Sequence, residues 1–404
     1  MHYAQILMYV FLAILLLLLI VFAYIKLRFK FWSIQPVFHV YDFRYYFFPP
    51  GIIDSSLPEK NRYCNFTNIE TLEYNAVSDN KMGEIVHFIQ LHYLRDGENH
   101  FSPKKENVVP YFVGHRGPSF FTFYYEDEIL MEAGETINRK RLISFMSGRP
   151  LHVSIHNGYK GAAFDAYYVD YLCVDGAFRK KGIAPQMIQT HEYNQRRGNK
   201  NIFVSLFKRE DDLTGIVPLC VYKTCGFSME KWNTPTDLFG EYSVVECGPN
   251  NMHFLVDFLR ETQGQFDIYI MPEISGIMEL VKTGNIFIYL LVDSTGTIGA
   301  YFFRKSCSKT KDETEALSLF SSIREKKKTI DMNVFIHGCK VALSKICLKH
   351  HEFRIVTLEN IADNDVIIDN LKIKTEPLFE SPTAYFFYNF AYGTFAPQKV
   401  LMLN

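Results

Sequence analysis

At 404 residues the chain exceeds one average domain and has room for one large fold or two packed halves. Its formal net charge of −1 leaves no overall field to draw nucleic acid, so none is expected as a partner. Hydrophobic residues reach 48%, enough for a sizeable core or an apolar ligand groove, while the eight Cys lack any CxxC pair or zinc-type spacing and read as reduced thiols.

In chain order, the first element is the run "ILMYVFLAILLLLLIVFAYI", Ile6 to Ile25, apolar throughout and without a charge. It is long enough to cross a bilayer as a helix, too long for a signal-peptide core, and has no small-residue cleavage site after it. Lys26, Arg28 and Lys30 follow at once, which places the N-terminus outside and the remainder in the cytosol as a single-pass membrane protein. On that topology the Asn65-Phe66-Thr67 sequon is never glycosylated. Residues 26–60 read as an extended arm broken by Pro49, Pro50 and Gly51. "EIVHFIQLHYL" from Glu84 has helical spacing. "PSFFTFYYEDEILMEAG" and "RLISFMSGRPLHVSIHN" read as meander strands, "AYYVDYLCV" as a strand buried on both faces, Ala184 to Arg197 as a helix, and "NIFVSLF" as a further strand. Beyond about residue 240 a similar order begins again: helix, two strands around a Ser-Thr-Gly turn, helix, strands. The pattern is compatible with two α/β halves of related build.

The chemistry gathers at "YLCVDGAFRKKGIAPQMI", residues 171–188. An apolar strand ends near Val174, and Arg179, Gly182 and Ala184 form an R-x-x-G-x-A pattern at the start of a helix. Small residues let the backbone approach a ligand, and the first helical turn offers unpaired N–H groups at the positive end of the dipole. With Arg179, Lys180 and Lys181 beside it, a phosphate is the natural occupant. About forty residues later comes "VYKTCGF", Val221 to Phe227. That order of strand, turn, helix, strand and Y-x-x-x-G-F resembles GNAT-type acyltransferases, in which the phosphate is the pyrophosphate of coenzyme A.

The resemblance sharpens to one family. "KFWSIQPV", Lys30 to Val37, resembles the coenzyme-A-contacting arm of eukaryotic protein N-myristoyltransferases, Y-K/Q-F-W-x-T-Q-P-V. "DYLCVDGAFRKKGIAP" is similar to their N-F-L-C-V-H-K-x-L-R-S-K-R-x-A/T-P, "LTGIVP" to A-G-V-V-L-P, and "AYFFYNFAYGTFAPQKVLMLN" to their terminus. The family implies an α/β fold of two pseudo-symmetric GNAT-like halves, here preceded by one transmembrane α-helix: anchor 1–28, acyl-CoA half 29–240, and a half 241–404 that adds the acceptor groove and the C-terminal carboxylate. It implies transfer of a myristoyl group from acyl-CoA, a co-substrate and not a bound cofactor, to the N-terminal glycine amine of a protein. By residue, Lys30, Phe31, Trp32, Gln35, Arg179, Lys180, Lys181, Gly182, Ile183 and Ala184 would hold the acyl-CoA. The backbone N–H groups of Tyr171 and Leu172 would form the oxyanion hole, and the α-carboxylate of Asn404 would be the base. Tyr222 would sit by the thioester as proton donor to the leaving thiolate, set against a core tyrosine. No metal is expected.

The chain departs from the family at Asp170, where the family has Asn; the added charge is either a second base or a disturbance of the site. The family's acidic peptide-binding loop is reduced to Asp96 and Glu98, and its Y-T-L-P-S region is replaced by Phe303-Arg304-Lys305-Ser306-Cys307. Cys173 and Cys225 read as buried inert thiols, His39, His115 and His351 as packed or solvated histidines, and "REKKK", Arg324 to Lys328, as a solvated charge run. Two alternatives stay open: an acyltransferase of this fold with another amine acceptor, and a non-catalytic membrane-anchored protein, as in a virion. An AT-rich coding bias of the viral or protozoan kind and a virion or host internal membrane accord with the composition. Membrane lipid, acyl-CoA and a glycine-terminated acceptor are the expected partners.

Overall fold

The computed structural model describes residues 2–94, 99–132, 135–156, 161–210, 215–310, 313–326 and 331–404. The helix His2–Arg28 is apolar on every side and none of its most apolar stretch is buried by the rest of the chain. It is long and apolar enough to cross a bilayer.

Helix Asp79–His92 begins five residues before the apolar periodicity does. Its start is set by Ser78, whose hydroxyl accepts the Lys81 N–H at 3.3 Å. Met82, Ile85, Val86, Phe88 and Ile89 turn inward at helical spacing and meet Phe121, Phe123 and Phe145 of the meander Phe120–Glu132, Glu135–Ile155 and Ala162–Val174. Helix Ile183–Gly198 then crosses over, and Val204–Glu210 pairs parallel with Ala162–Val174. The second half repeats this order. The antiparallel strands Ile286–Asp293, Gly296–Thr310 and Glu315–Arg324 lead to helix Met332–Lys349, and Phe353–Glu359 pairs parallel with Glu315–Arg324.

Each half gives a strand to the other. Phe379–Tyr388 pairs with Val204–Glu210 of the first half, Cys220–Ser228 pairs with Phe353–Glu359 of the second, and the two exchanged strands pair with each other. One sheet of 15 strands therefore runs across residue 240, so the division into halves is one of chain order, with no gap in the sheet. The strand Val400–Met402 lies parallel to Ile268–Met271, which in turn pairs antiparallel with Glu135–Ile155 of the first half.

The arm 26–60 is not extended. It folds into the turn Trp32–Ile34 and the short helix Phe43–Phe47, and Val37 is buried with Ile216, Ala384 and Phe386. Apolar residues interleaved along the arm pull it onto the sheet, which outweighs the proline signals.

Candidate active site

The parallel pair at the centre of the first half is incomplete. Ala162–Val174 and Val204–Glu210 are in register from Ala166/Val204 to Val169/Phe207, and beyond that both strands continue without pairing to each other. On its other edge, Ala162–Val174 pairs Phe145 with Cys173 and Ser147 with Asp170, so Tyr171 and Leu172 together oppose only Met146. Two residues facing one is a β-bulge, which bends a strand and re-aims its backbone groups. Tyr171 carries it with φ at +54°. The wedge between the strands is a cavity of about 480 Å³, lined by Trp32, Met146, Tyr168 to Leu172, Ile188, Phe207 and Lys208 among others. At the equivalent place in the second half, side-chain and backbone hydrogen bonds bridge the strand ends among the described residues. There the Leu319 carbonyl accepts the Asn364 side-chain amide and the Ser322 carbonyl accepts the Asp363 N–H.

A second cavity of about 500 Å³ lies over the turn into helix Ile183–Gly198 and shares Tyr93, Leu94 and Leu172 with the first. Arg179, Lys180, Gly182, Ile183 and Ala184 line it. Gly182 caps the helix with φ at +79°, and Lys180 also lies in the left-handed region at +64°. The first-turn N–H groups of Ile183 and Ala184 and the Lys180 charge suit an anionic phosphate, while Pro185 in the same turn has no N–H to offer. Arg179 is committed otherwise: its guanidinium donates to the carbonyls of Val174 at 3.2 Å and His92 at 2.9 Å, so it braces the turn. Lys181 lies over the Phe178 ring and is not among the lining residues.

Of the arm, Trp32 reaches the first cavity and stacks on Phe207. Phe31 and Gln35 are buried below it. Gln35 donates to Gln189 at 3.1 Å and accepts from the Tyr388 hydroxyl at 2.7 Å, joining the arm to the crossover helix and the exchanged strand. Lys30 is exposed.

Asp170 stands in the first cavity, and its Oδ1 accepts the Tyr171 N–H at 2.8 Å and the Tyr93 hydroxyl at 3.3 Å. Burial, with the Asp170 charge next, holds the Tyr93 hydroxyl well above its ordinary pKa, so it stays a donor. Asn404 is 2% exposed, and the whole segment Val400–Asn404 is buried. Arg304 donates to the Asn404 main-chain oxygen at 3.2 Å and to Glu359 at 2.6 Å. Glu359 in turn accepts from Lys208 at 3.3 Å and from the Tyr222 hydroxyl at 2.5 Å. Burial alone would raise the Glu359 pKa, but Lys208 and Arg304 outweigh it and hold the group ionised. Through Lys208 this chain of charges opens on the first cavity, and the Asn404 side chain sits beside the hydroxyl of cavity-lining Tyr168. Asn404 itself does not line either cavity.

Tyr222 lies apart from both cavities, in the core, with its hydroxyl given to Glu359. This placement accords with the core-tyrosine alternative. The glycine of the same motif serves packing, since a Cβ on Gly226 would collide with the Phe379 ring. Burial pushes the Cys173 thiol up to about 12, an inert state. The "REKKK" run is not wholly solvated: Glu325 is buried and Lys326 pairs with Asp363 at 3.2 Å, while Lys327 and Lys328 lie outside the described residues. Asp96 and Glu98 also lie outside them.

Sequence reasoning passed over Lys208, Glu359, His191 and Glu192. Glu359 had a signal, a carboxylate ending the otherwise apolar strand "FRIVTLE", because a buried charge demands partners. His191 and Glu192 line the inner part of the first cavity from the crossover helix. Burial lowers the His191 pKa to about 4 and pushes Glu192 up to about 7.

A two-half sheet with an open wedge, a bulge at its mouth and a phosphate-type turn beside it define the GNAT class of acyltransferase fold. A tandem GNAT protein from the clavulanic acid biosynthesis pathway matches with a TM-score of 0.52 at 14% identity, over 81% of this chain and 100% of that one. Within that class, residues 57–220 match the family model of the Myristoyl-CoA:protein N-myristoyltransferase N-terminal domain. Saccharomyces cerevisiae N-myristoyltransferase with bound myristoyl-CoA matches with a TM-score of 0.67 at 12% identity, covering 91% of this chain and 94% of that one. A second structure of the yeast enzyme with bound myristoyl-CoA gives 0.70 at 14%, over 91% and 90%. No curated protein sequence matches. The chain thus resembles the N-myristoyltransferases by sequence in its first half and by fold over nine-tenths of its length.

Proposed function

We propose that this protein is an acyltransferase that moves a myristoyl group from coenzyme A to the N-terminal glycine amine of a protein at a membrane surface. The observation that carries the reading is the unpaired wedge beyond Val169 and Phe207, with the bulged Tyr171 and Leu172 at its mouth and the Gly182 turn next to it. In this reading the turn holds the pyrophosphate, the thioester lies in the wedge, and the acyl chain runs toward Met146 and Ile188. The amine nitrogen attacks the thioester carbonyl carbon; the C–N bond forms, the C–S bond breaks, and coenzyme A leaves as the thiolate. Leu172 N–H steadies the oxyanion, with Tyr171 N–H joining when Asp170 releases it. The base is the α-carboxyl group of Asn404, as the family resemblance implies, and Lys208, Glu359 and Arg304 orient it. The helix His2–Arg28 anchors the protein with its larger part in the cytosol. A single myristoyl chain binds membranes only marginally, so release of product at the bilayer favours its retention there.

A second reading, a non-catalytic acyl-CoA-binding relative, is favoured by one observation: the Asp170 carboxylate already occupies the Tyr171 amide. Calorimetry with myristoyl-CoA, followed by turnover on a glycine-terminated peptide, separates the two. The first reading expects binding and transfer that is abolished by acetylating the peptide amine. Binding without turnover supports the second, and transfer to a lysine side chain would replace the glycine acceptor.

A further inference from the structure

Immediately after the N-terminal helix the chain builds a small element that presents aromatic rings to solvent. Helix Phe43–Phe47 is five residues long, and Phe43, Phe47 and Phe48 are between 74% and 77% exposed, with Tyr46 beside them at 53%. Large contiguous apolar surface on a soluble face is rare and marks a contact site. The rings are presented on a fixed support. Phe38, itself buried with Val217 and Ala391, packs edge-on against Tyr45 and Tyr46 at 5.6 and 4.8 Å. Asp42, just ahead of the helix, accepts the His39 N–H at 2.8 Å.

The same element adjoins the foot of the apolar helix. Lys26, in its last turn, donates to the Ser33 carbonyl at 3.3 Å, and its charge acts on His39. The exposed rings thus follow within twenty residues of the uncovered apolar helix His2–Arg28, and Lys26, Arg28, Lys30 and Arg44 are exposed along the same stretch of chain. Aromatic rings with basic residues close by are the composition that settles at the headgroup level of a bilayer, where a ring meets hydrocarbon and a cation meets phosphate.

We infer that Phe43, Tyr46, Phe47 and Phe48 form an interfacial foot that inserts among the lipid headgroups and fixes which face of the domain meets the bilayer. The inference rests on the proposed membrane anchoring. Its occupant is the lipid interface, because the patch follows a helix already suited to lipid, is tied to that helix's foot through Lys26 and His39, and has exposed cations beside it in the chain. Trp32, which lies in sequence between that helix and the foot, lines the acyl cavity. The foot thus holds the cavity near the membrane plane.

The test uses the full chain in phosphatidylcholine–phosphatidylserine vesicles. Phe47→Trp and, as a separate variant, Phe11→Trp each add one emitter to Trp32 and Trp232, read as the difference from the parent protein. The expected result is loss of most of the emission added at 47 with lipids brominated high on the acyl chain, together with protection from acrylamide. The emission added at 11 is lost with deep bromines. If lipid bromines spare position 47 while quenching position 11, the foot is overturned and the spanning helix stands; shielding of 47 from both quenchers overturns it equally. If neither position responds to lipid, both fall, and quenching at 47 alone keeps the foot and removes the span. Phe48→Trp repeats the measurement should Phe47→Trp fail to fold.

Discussion

The Oδ1 of Asp170 lies 2.8 Å from the backbone nitrogen of Tyr171, so a carboxylate sits on a donor expected for the thioester oxygen. A full negative charge beside a developing oxyanion raises the barrier, by up to about 4 kcal/mol for charges ~4 Å apart near a protein surface. Asp170→Asn keeps the acceptor oxygen and removes the charge. We expect kcat for glycine-peptide acylation to rise by about tenfold, equivalent to ~1.4 kcal/mol. A fall of that size in the same assay would give Asp170 the role of base.

Asn404 joins the catalytic reading only through its main-chain carboxyl, held by Arg304. Appending one glycine moves that carboxyl by about 3.5 Å. A general base is worth roughly 10²–10⁴ in rate, so turnover should drop at least about 100-fold. Myristoyl-CoA affinity, measured by calorimetry, should stay unchanged, since the acyl-CoA cavities do not include Asn404.

Gly182 holds φ at +79° in open space, and a methyl group added there would meet no atom within 4 Å. Gly182→Ala therefore isolates the backbone cost, ~1–2 kcal/mol for a left-handed residue carrying a Cβ. Because the strain falls on the turn that faces the phosphate, myristoyl-CoA binding should weaken by about tenfold. Calorimetric Kd values for the two proteins decide it.

Glu192 sets a pH dependence of stability. Burial raises its folded pKa to about 7, against an ordinary value of 4.5, with Arg196 at 3.8 Å opposing the shift. Between these two pH values the folded state binds the extra proton, so its stability falls as pH rises through the window. The loss amounts to roughly 3 kcal/mol at most. Glu192→Gln should leave the melting temperature little changed at pH 4.5 and raise it at pH 8, as read by thermal unfolding in detergent. An equal shift at both pH values would contradict a buried titrating carboxyl.

Much of the architecture was legible because it is local. The run Ile6–Ile25, the helical spacing of Ile85 to Ile89 and the small residues of the Gly182 turn are each set by neighbours a few positions away. The apolar terminus likewise announced burial before Asn404 was seen to be buried. Tyr222 shows the limit: its motif matched, yet its hydroxyl points to Glu359, 137 positions away. No spacing rule covers such a pair.

The sequence by itself determined the apolar N-terminal helix, the repeated α/β order and the phosphate-type turn, because periodicity and backbone conformation act between near neighbours. Only the tertiary structure decided that the halves exchange strands, that pairing stops at Val169 and Phe207, and that Lys208, Glu359, Arg304 and Asn404 join end to end. Those features depend on which distant strands become neighbours. A sheet assembled from both halves settles that through hydrogen-bond register and the pairing of buried charges.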